Sequence, residues 1–323
     1  MTSSAMSDSP DSSTGGLQLK LLGEFGLARA DGASVPLPGK RERVLLAYLA
    51  LHPAKRERRR KLTGILWGDA SGETLLDNLR TSVWSLRKAL GDTDRTLIVS
   101  QDDSIALAPG AFAVDASEFE TLAKRADREA LEAAARLYSG ELLEGSEINS
   151  AEFETWLAGL RMHLRGVATD AYLRLAAILA GAGETDSAIE HLQTALRLDP
   201  YHEGVVRQLL SLYVESGRRG AAFETYRALV GKLEADMGAE PEIETRRLYS
   251  EISQGNYAAT DPQVLHPRAA PVRETRQNAV GTEPANSAAG MPRNRIQRIV
   301  VVSAAAVLLL AVPLAFYFQR SPM

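Results

Sequence analysis

The chain has 323 residues, 45% hydrophobic and 24% charged, a composition that sustains folded domains and excludes a wholly disordered chain. It has no cysteine, which excludes disulfides, thiolate zinc sites and cysteine nucleophiles and fits a reducing cytosol. The net charge of −4 conceals an asymmetry: 17–110 carries 15 Lys+Arg against 11 Asp+Glu, while 111–253 carries 15 against 25. A basic first half at +4 beside an acidic second half at −10 points to the first as the part that meets a polyanion.

Residues 1–16 are Ser, Thr, Asp, Gly and Pro with little to bury, and they read as a disordered leader without a signal peptide. From Leu17 the pattern changes to short strands. Leu17, Leu19 and Leu21 alternate with polar residues, Phe25 and Leu27 follow, and Asp31 and Gly32 signal a turn before Val35 and Leu37. A helix is expected where Val44, Leu45, Tyr48, Leu49 and Leu51 keep helical spacing, until His52 and Pro53 stop it. The basic run 55–61 then leads into a short second helix with Leu62, Ile65, Leu66 and Trp67. A third helix spans 74–90 and ends at Gly91. Two apolar triplets, 97–99 and 105–107, flank a polar turn and read as a β-hairpin. Strands, three helices and a hairpin make a winged helix-turn-helix layout over 17–110.

On the third helix, Leu76, Leu79, Val83, Leu86 and Leu90 form one apolar stripe. Steps of 100° per residue place Asp77, Thr81, Trp84, Ser85 and Lys88 opposite Leu79, with Arg80 and Arg87 on a flank. A helix buried along one side and bearing Arg, Lys, Ser and Thr on the other suits the major groove of duplex DNA.

The second half carries an internal repeat. A shift of 34 residues maps Leu175 onto Leu209, Gly183 onto Gly217, Ala188 onto Ala222 and Leu192 onto Tyr226. That period is the one of tetratricopeptide helical hairpins, which bury their faces by stacking on neighbours. All-α tetratricopeptide-like repeats are therefore expected within 111–253. Residues 254–298, rich in Pro, Ala and Arg, read as a disordered linker. From Ile299 to Phe318 twenty residues carry no charge, enough for one transmembrane helix across a ~30 Å hydrocarbon core. Arg293, Arg295 and Arg298 precede this span, which places the N-terminal domains in the cytoplasm of a single-pass inner-membrane protein.

The segments KRERVLLAYLAL at 40–51, LWGD at 66–69, NLR at 78–80 and LRKALG at 86–91 resemble the antibiotic-regulatory-protein (SARP) family of bacterial transcriptional activators. Val114, Asp115 and Phe119, then Gly217, Arg218, Ala222, Tyr226, Leu233, Glu234 and MGAEP at 237–241, resemble that family's bacterial transcriptional activator domain. The resemblance implies an OmpR-type winged helix that binds double-stranded DNA. It also implies repeats that meet RNA polymerase or another regulatory protein, with room for a homodimer on DNA. Carried over, Arg80, Thr81, Trp84, Ser85, Arg87 and Lys88 are DNA-facing candidates on the recognition helix, and Arg58, Arg59 and Lys61 are candidate phosphate contacts. Two features depart from the family plan: Asp102 and Asp103 at the wing, where carboxylates repel phosphate, and the terminal apolar span.

Enzyme chemistry is not expected. There is no GxxxxGK phosphate loop and no Gly-rich nucleotide turn, and the five histidines form no HxxxH or HExxH pair, so neither a metal nor a cofactor is expected. The alternative to a DNA-binding regulator is a membrane-anchored interaction scaffold whose winged helix no longer binds DNA.

Overall fold

The computed structural model describes residues 16–52, 55–68 and 73–257. The leader up to residue 15, the linker beyond 257 and the span from Ile299 to Phe318 lie outside the described residues. Among the described residues no helix is long and apolar enough to cross a membrane.

The chain opens with β1 (Leu17–Lys20) and β2 (Gly26–Ala28), followed by α1 (Lys40–Ala50). Next come β3 (Glu57–Arg58), α2 (Arg59–Trp67) and α3 (Glu73–Leu90), then β4 (Ile98–Gln101), β5 (Ser104–Leu107) and β6 (Phe112–Val114). The first sheet has the order β2-β1-β6 and the wing sheet the order β3-β5-β4. In β1, Leu17 and Leu19 are buried while Gln18 and Lys20 are exposed, the two-residue alternation of a strand with one wet face. The third opening strand expected near Val35 is reduced to a bridge between Ala28 and Ser34, flanked by bonds from the Val35 N–H to the Leu27 carbonyl and from the Arg29 N–H to the Ala33 carbonyl. Pro36 and Pro38 explain this, since neither can donate to a ladder.

Every residue of α1 from Val44 to Ala50 is buried, so this helix forms the centre of the first half. Around it, α2 buries Leu62, Ile65 and Leu66, and α3 buries Leu79, Val83, Leu86 and Leu90. A single side of α3 is thus spent on the core, and the other is left to solvent.

The second half begins without a break. From β6 the chain enters α4 (Asp115–Ala123), then α5 (Arg128–Leu137) and the long α6 (Ala151–Gly181). Then follow α7 (Thr185–Leu198), α8 (Glu203–Glu215), α9 (Arg219–Met237) and α10 (Ile243–Gln254). The 34-residue period appears as two helical hairpins, α6 with α7 and α8 with α9. Gly183 and Gly217 turn the two hairpins at φ 81° and 75°, a backbone region that favours glycine. Ala188 and Ala222 sit at matching positions with no exposed surface, small enough for close helix approach.

The two halves share one hydrophobic core that runs from Leu17 to Ile252. β6 pairs parallel with β1, placing Val114 opposite Leu19. Asp115, the first residue of α4, then reaches back: its Oδ1 accepts from the Leu21 N–H at 2.8 Å and its Oδ2 from the Leu22 N–H at 3.0 Å. The Leu143 N–H donates to the Leu21 carbonyl at 2.8 Å, and the Gly23 N–H donates to the Glu141 carbonyl at 2.9 Å. Gly23 and Gly140 permit this contact, since a Cβ on Gly140 would stand 2.9 Å from the Gly23 Cα. On the other side Trp156 of α6 lies with its ring centroid 4.9 Å from that of Tyr48 in α1. The sequence divides at 110, but the packing does not.

Candidate nucleic-acid interface

The solvent side of α3 is built by the same spacing that buries the opposite stripe. Asp77, Asn78, Arg80, Thr81, Trp84 and Lys88 are exposed, and Ser85 is half-buried. Trp84 has 62% of its surface open to solvent, although four apolar residues of the same helix are buried behind it. The Lys88 ammonium stands 5.2 Å from the Trp84 ring centroid, a cation–π distance that holds the indole along the helix. Arg80 donates to Asp77 at 2.7 Å, and the Thr81 hydroxyl donates to the Asp77 carbonyl at 3.0 Å. Both ends of the Arg80 pair are mostly exposed, so solvent screens it and a phosphate or base edge can displace the carboxylate.

Arg87, on the flank of α3, turns toward the wing rather than into the exposed row. Its Nη2 donates to the Ile98 carbonyl at 2.7 Å and to the Ser100 hydroxyl at 3.0 Å, tying α3 to strand β4 of the wing. Behind it, buried Asp92 accepts from the Thr96, Leu97 and Ile98 N–H groups at 2.7, 3.0 and 2.9 Å. Burial pushes the Asp92 carboxyl up, but the three N–H donors and Arg87 outweigh it and hold the group below its ordinary value. Burial together with the nearby Arg95 charge lowers the Arg87 guanidinium. The pair fixes the angle of the wing against α3. A depressed carboxyl stabilises the fold above its unfolded pKa and is lost as pH falls through the folded one. Wing amides of Thr96, Leu97 and Ile98 should therefore stay protected from hydrogen exchange on acidification to pH 3.8, the ordinary Asp value, and open below it.

The basic run divides into two groups. Lys55 and Lys61 both pair with buried Glu57 at 3.1 Å, and the Lys61 ammonium also lies 5.6 Å from the Tyr48 ring centroid. Burial pushes the Glu57 carboxyl up, yet hydrogen bonds from the two lysines bring it below its ordinary value. Lys61 is thus committed to an internal charge, while Arg58 and Arg60 are exposed and Arg59 is half-buried at the start of α2. Glu57 was not legible as a buried anion, because nothing in a run of cations marks which acid lies inward.

The wing turn lies across this helix start. The Arg59 N–H donates to the Asp103 carbonyl at 2.9 Å, and the Arg56 guanidinium donates to the Gln101 side chain. Asp102 takes φ 50° at the turn. The Asp103 carbonyl thus rests on the Arg59 N–H, and the wing turn that carries both carboxylates packs on the start of α2. Converting both to asparagine (D102N with D103N) should raise affinity for a duplex about five- to thirtyfold, since each removed charge is worth on the order of 0.5–1 kcal/mol at the surface. Fluorescence anisotropy at fixed salt measures it; unchanged affinity would place the wing tip away from the phosphates. Among the described residues no group of acids and histidines can hold a metal ion.

These features define a winged helix whose third helix, α3, is open to solvent along one side, fused through a shared core to a helical-repeat domain. Residues 114–253 match the family described as the bacterial transcriptional activator domain. The chain is also similar to the transcriptional regulatory protein MoaR1 of Mycobacterium tuberculosis (strain ATCC 25618 / H37Rv). The two are 26% identical over 255 residues, 74% of this chain and 79% of that protein. The same protein of Mycobacterium bovis (strain BCG / Pasteur 1173P2) matches with the same identity and coverage. Among solved structures, Mycobacterium tuberculosis EmbR in complex with a low-affinity phosphopeptide superposes with a TM-score of 0.64 at 22% identity. That match covers 77% of this chain and 67% of EmbR, and at this identity it is a likeness of fold.

Proposed function

We propose that the chain is a transcriptional regulator that binds duplex DNA through α3 and regulatory partners through its helical repeats. The observation that carries this reading is the exposed row Arg80, Thr81, Trp84 and Lys88 on a helix whose other side is fully committed to the core. The activator-domain match and the similarity to named transcriptional regulators support it. Arg58, Arg59 and Arg60 at the start of α2 supply the phosphate contacts, and Arg87 acts by positioning the wing. RNA polymerase or another regulatory protein is the partner class for the repeats, and the chain acts on DNA rather than as an enzyme.

The second part of the proposal is tethering at a bacterial inner membrane, with both domains in the cytoplasm. The uncharged stretch from Ile299 to Phe318 and the arginines before it support this reading. The Pro-, Ala- and Arg-rich composition of the 41 residues 258–298 supports a linker with a typical reach of roughly 32–38 Å, room enough for a duplex beside the anchor.

Binding of the full chain to a fluorescent duplex, measured from 50 to 200 mM salt, tests the reading. Affinity should fall steeply with salt, as phosphate contacts release counterions. Replacing Arg80 and Lys88 together by alanine should weaken binding at least tenfold, consistent with ~1–3 kcal/mol per base-contacting side chain. Salt-independent or absent binding favours the interaction scaffold, the reading that the acidic wing tip supports.

A further inference from the structure

We infer that Trp84 is the specificity-determining residue of this interface and reads the C5-methyl groups of thymine in the major groove. The inference rests on the proposed DNA-binding role of α3. Trp84 is the one large apolar side chain of that helix left mostly exposed, and the core gains nothing from it. Leu79, Val83, Leu86 and Leu90 complete the buried stripe at 0–4% exposure on the far side. The indole is instead held by Lys88 in line with Thr81 and Arg80, at the centre of the face presented to a ligand.

The chemistry of the neighbours narrows what that face can read. Arg87 is turned into the wing, Ser82 is buried and Ser85 half-buried, so the exposed polar side chains next to the indole are Arg80, Thr81 and Lys88. Arg80 and Lys88 remain for guanine edges or phosphate. Trp84 and the Thr81 methyl offer apolar surface, and the apolar feature of the major groove is the thymine methyl group. Tryptophan has one donor and no acceptor, so it cannot make the paired contacts that distinguish adenine or guanine. A wedge between base steps is a minor-groove device, whereas a helix of this kind enters the major groove.

The test uses the full chain to select duplexes from a random library, then replaces each thymine of the selected site by deoxyuridine, which removes only the methyl. One or two positions should lose about fourfold in affinity each, the worth of one buried methyl group. That loss should vanish in W84A, persist in W84F, and remain intact in R80A even though R80A binds more weakly throughout. Trp84 is exposed, so the variants should unfold at the same temperature as the parent chain. Equal affinity for thymine and deoxyuridine duplexes overturns the inference and leaves DNA binding standing. Failure to enrich any duplex overturns the DNA-binding reading itself.

Discussion

A fragment ending at Gly110 should fail to fold, although it contains every strand and helix of the winged helix up to β5. β1 would lose β6, its parallel partner, and become an edge. Leu21 and Leu22, which have no exposed surface, would lose Leu143 and Leu142, which pair with them along the backbone. Tyr48 would lose the Trp156 ring. Each large apolar side chain returned to water costs about 1.5–3 kcal/mol, so Leu21, Leu22 and Tyr48 together lose about 5–9 kcal/mol, comparable with the whole 5–15 kcal/mol stability of an ordinary domain. Circular dichroism during heating should show no cooperative transition for 16–110 and one transition for 16–257. A cooperative fragment would show that the joint is a surface contact rather than core.

Asp115→Ala should destabilise the described unit by about 3–5 kcal/mol, because three backbone N–H groups lose their acceptor and each costs roughly 1–3 kcal/mol when left unpaired inside. These are the N–H groups of Leu21, Leu22 and Ala116, at 2.8, 3.0 and 2.7 Å. The melting temperature should fall on the order of 10 °C, given ~2–4 °C per kcal/mol at this size. Burial raises the Asp115 carboxyl above its ordinary value against the pull of the same three donors. A raised carboxyl favours the fold below its unfolded pKa and loses that contribution as pH rises through the folded one. Asp115→Asn therefore removes the cost of burying a charge and keeps one acceptor, so its loss should be smaller, about 1–2 kcal/mol. Equal losses in the two variants would mean that the charge, not the hydrogen bonds, joins the halves.

Much of this architecture was legible because it depends on period. The stripe of Leu79, Val83, Leu86 and Leu90 fixes which side of α3 faces solvent, and the 34-residue shift sets Gly183 and Gly217 at matching turns. The exposed positions of Arg80, Thr81, Trp84 and Lys88 follow from the same arithmetic. What the pattern could not carry is contact across distance. A helical wheel sets Arg87 beside Arg80, but only the return of β4 gives Arg87 the Ile98 carbonyl and removes it from the row. Lys61 reads as one more cation of a basic run, and only burial of Glu57 commits it. The joint at Asp115 pairs residues more than ninety positions apart, beyond the reach of any local signal.

Genome-wide crosslinking of the full chain to DNA, in the cells that make it, bears most directly on the proposed role. Beside it should be run the chain with Arg80 and Lys88 replaced by alanine, and the chain ending at Arg298. Discrete peaks sharing one sequence motif are expected for the full chain, lost in the alanine variant and retained at the same motif without the C-terminal span. A flat profile, or peaks indifferent to Arg80 and Lys88, would contradict the assignment of α3 as the element that reads DNA.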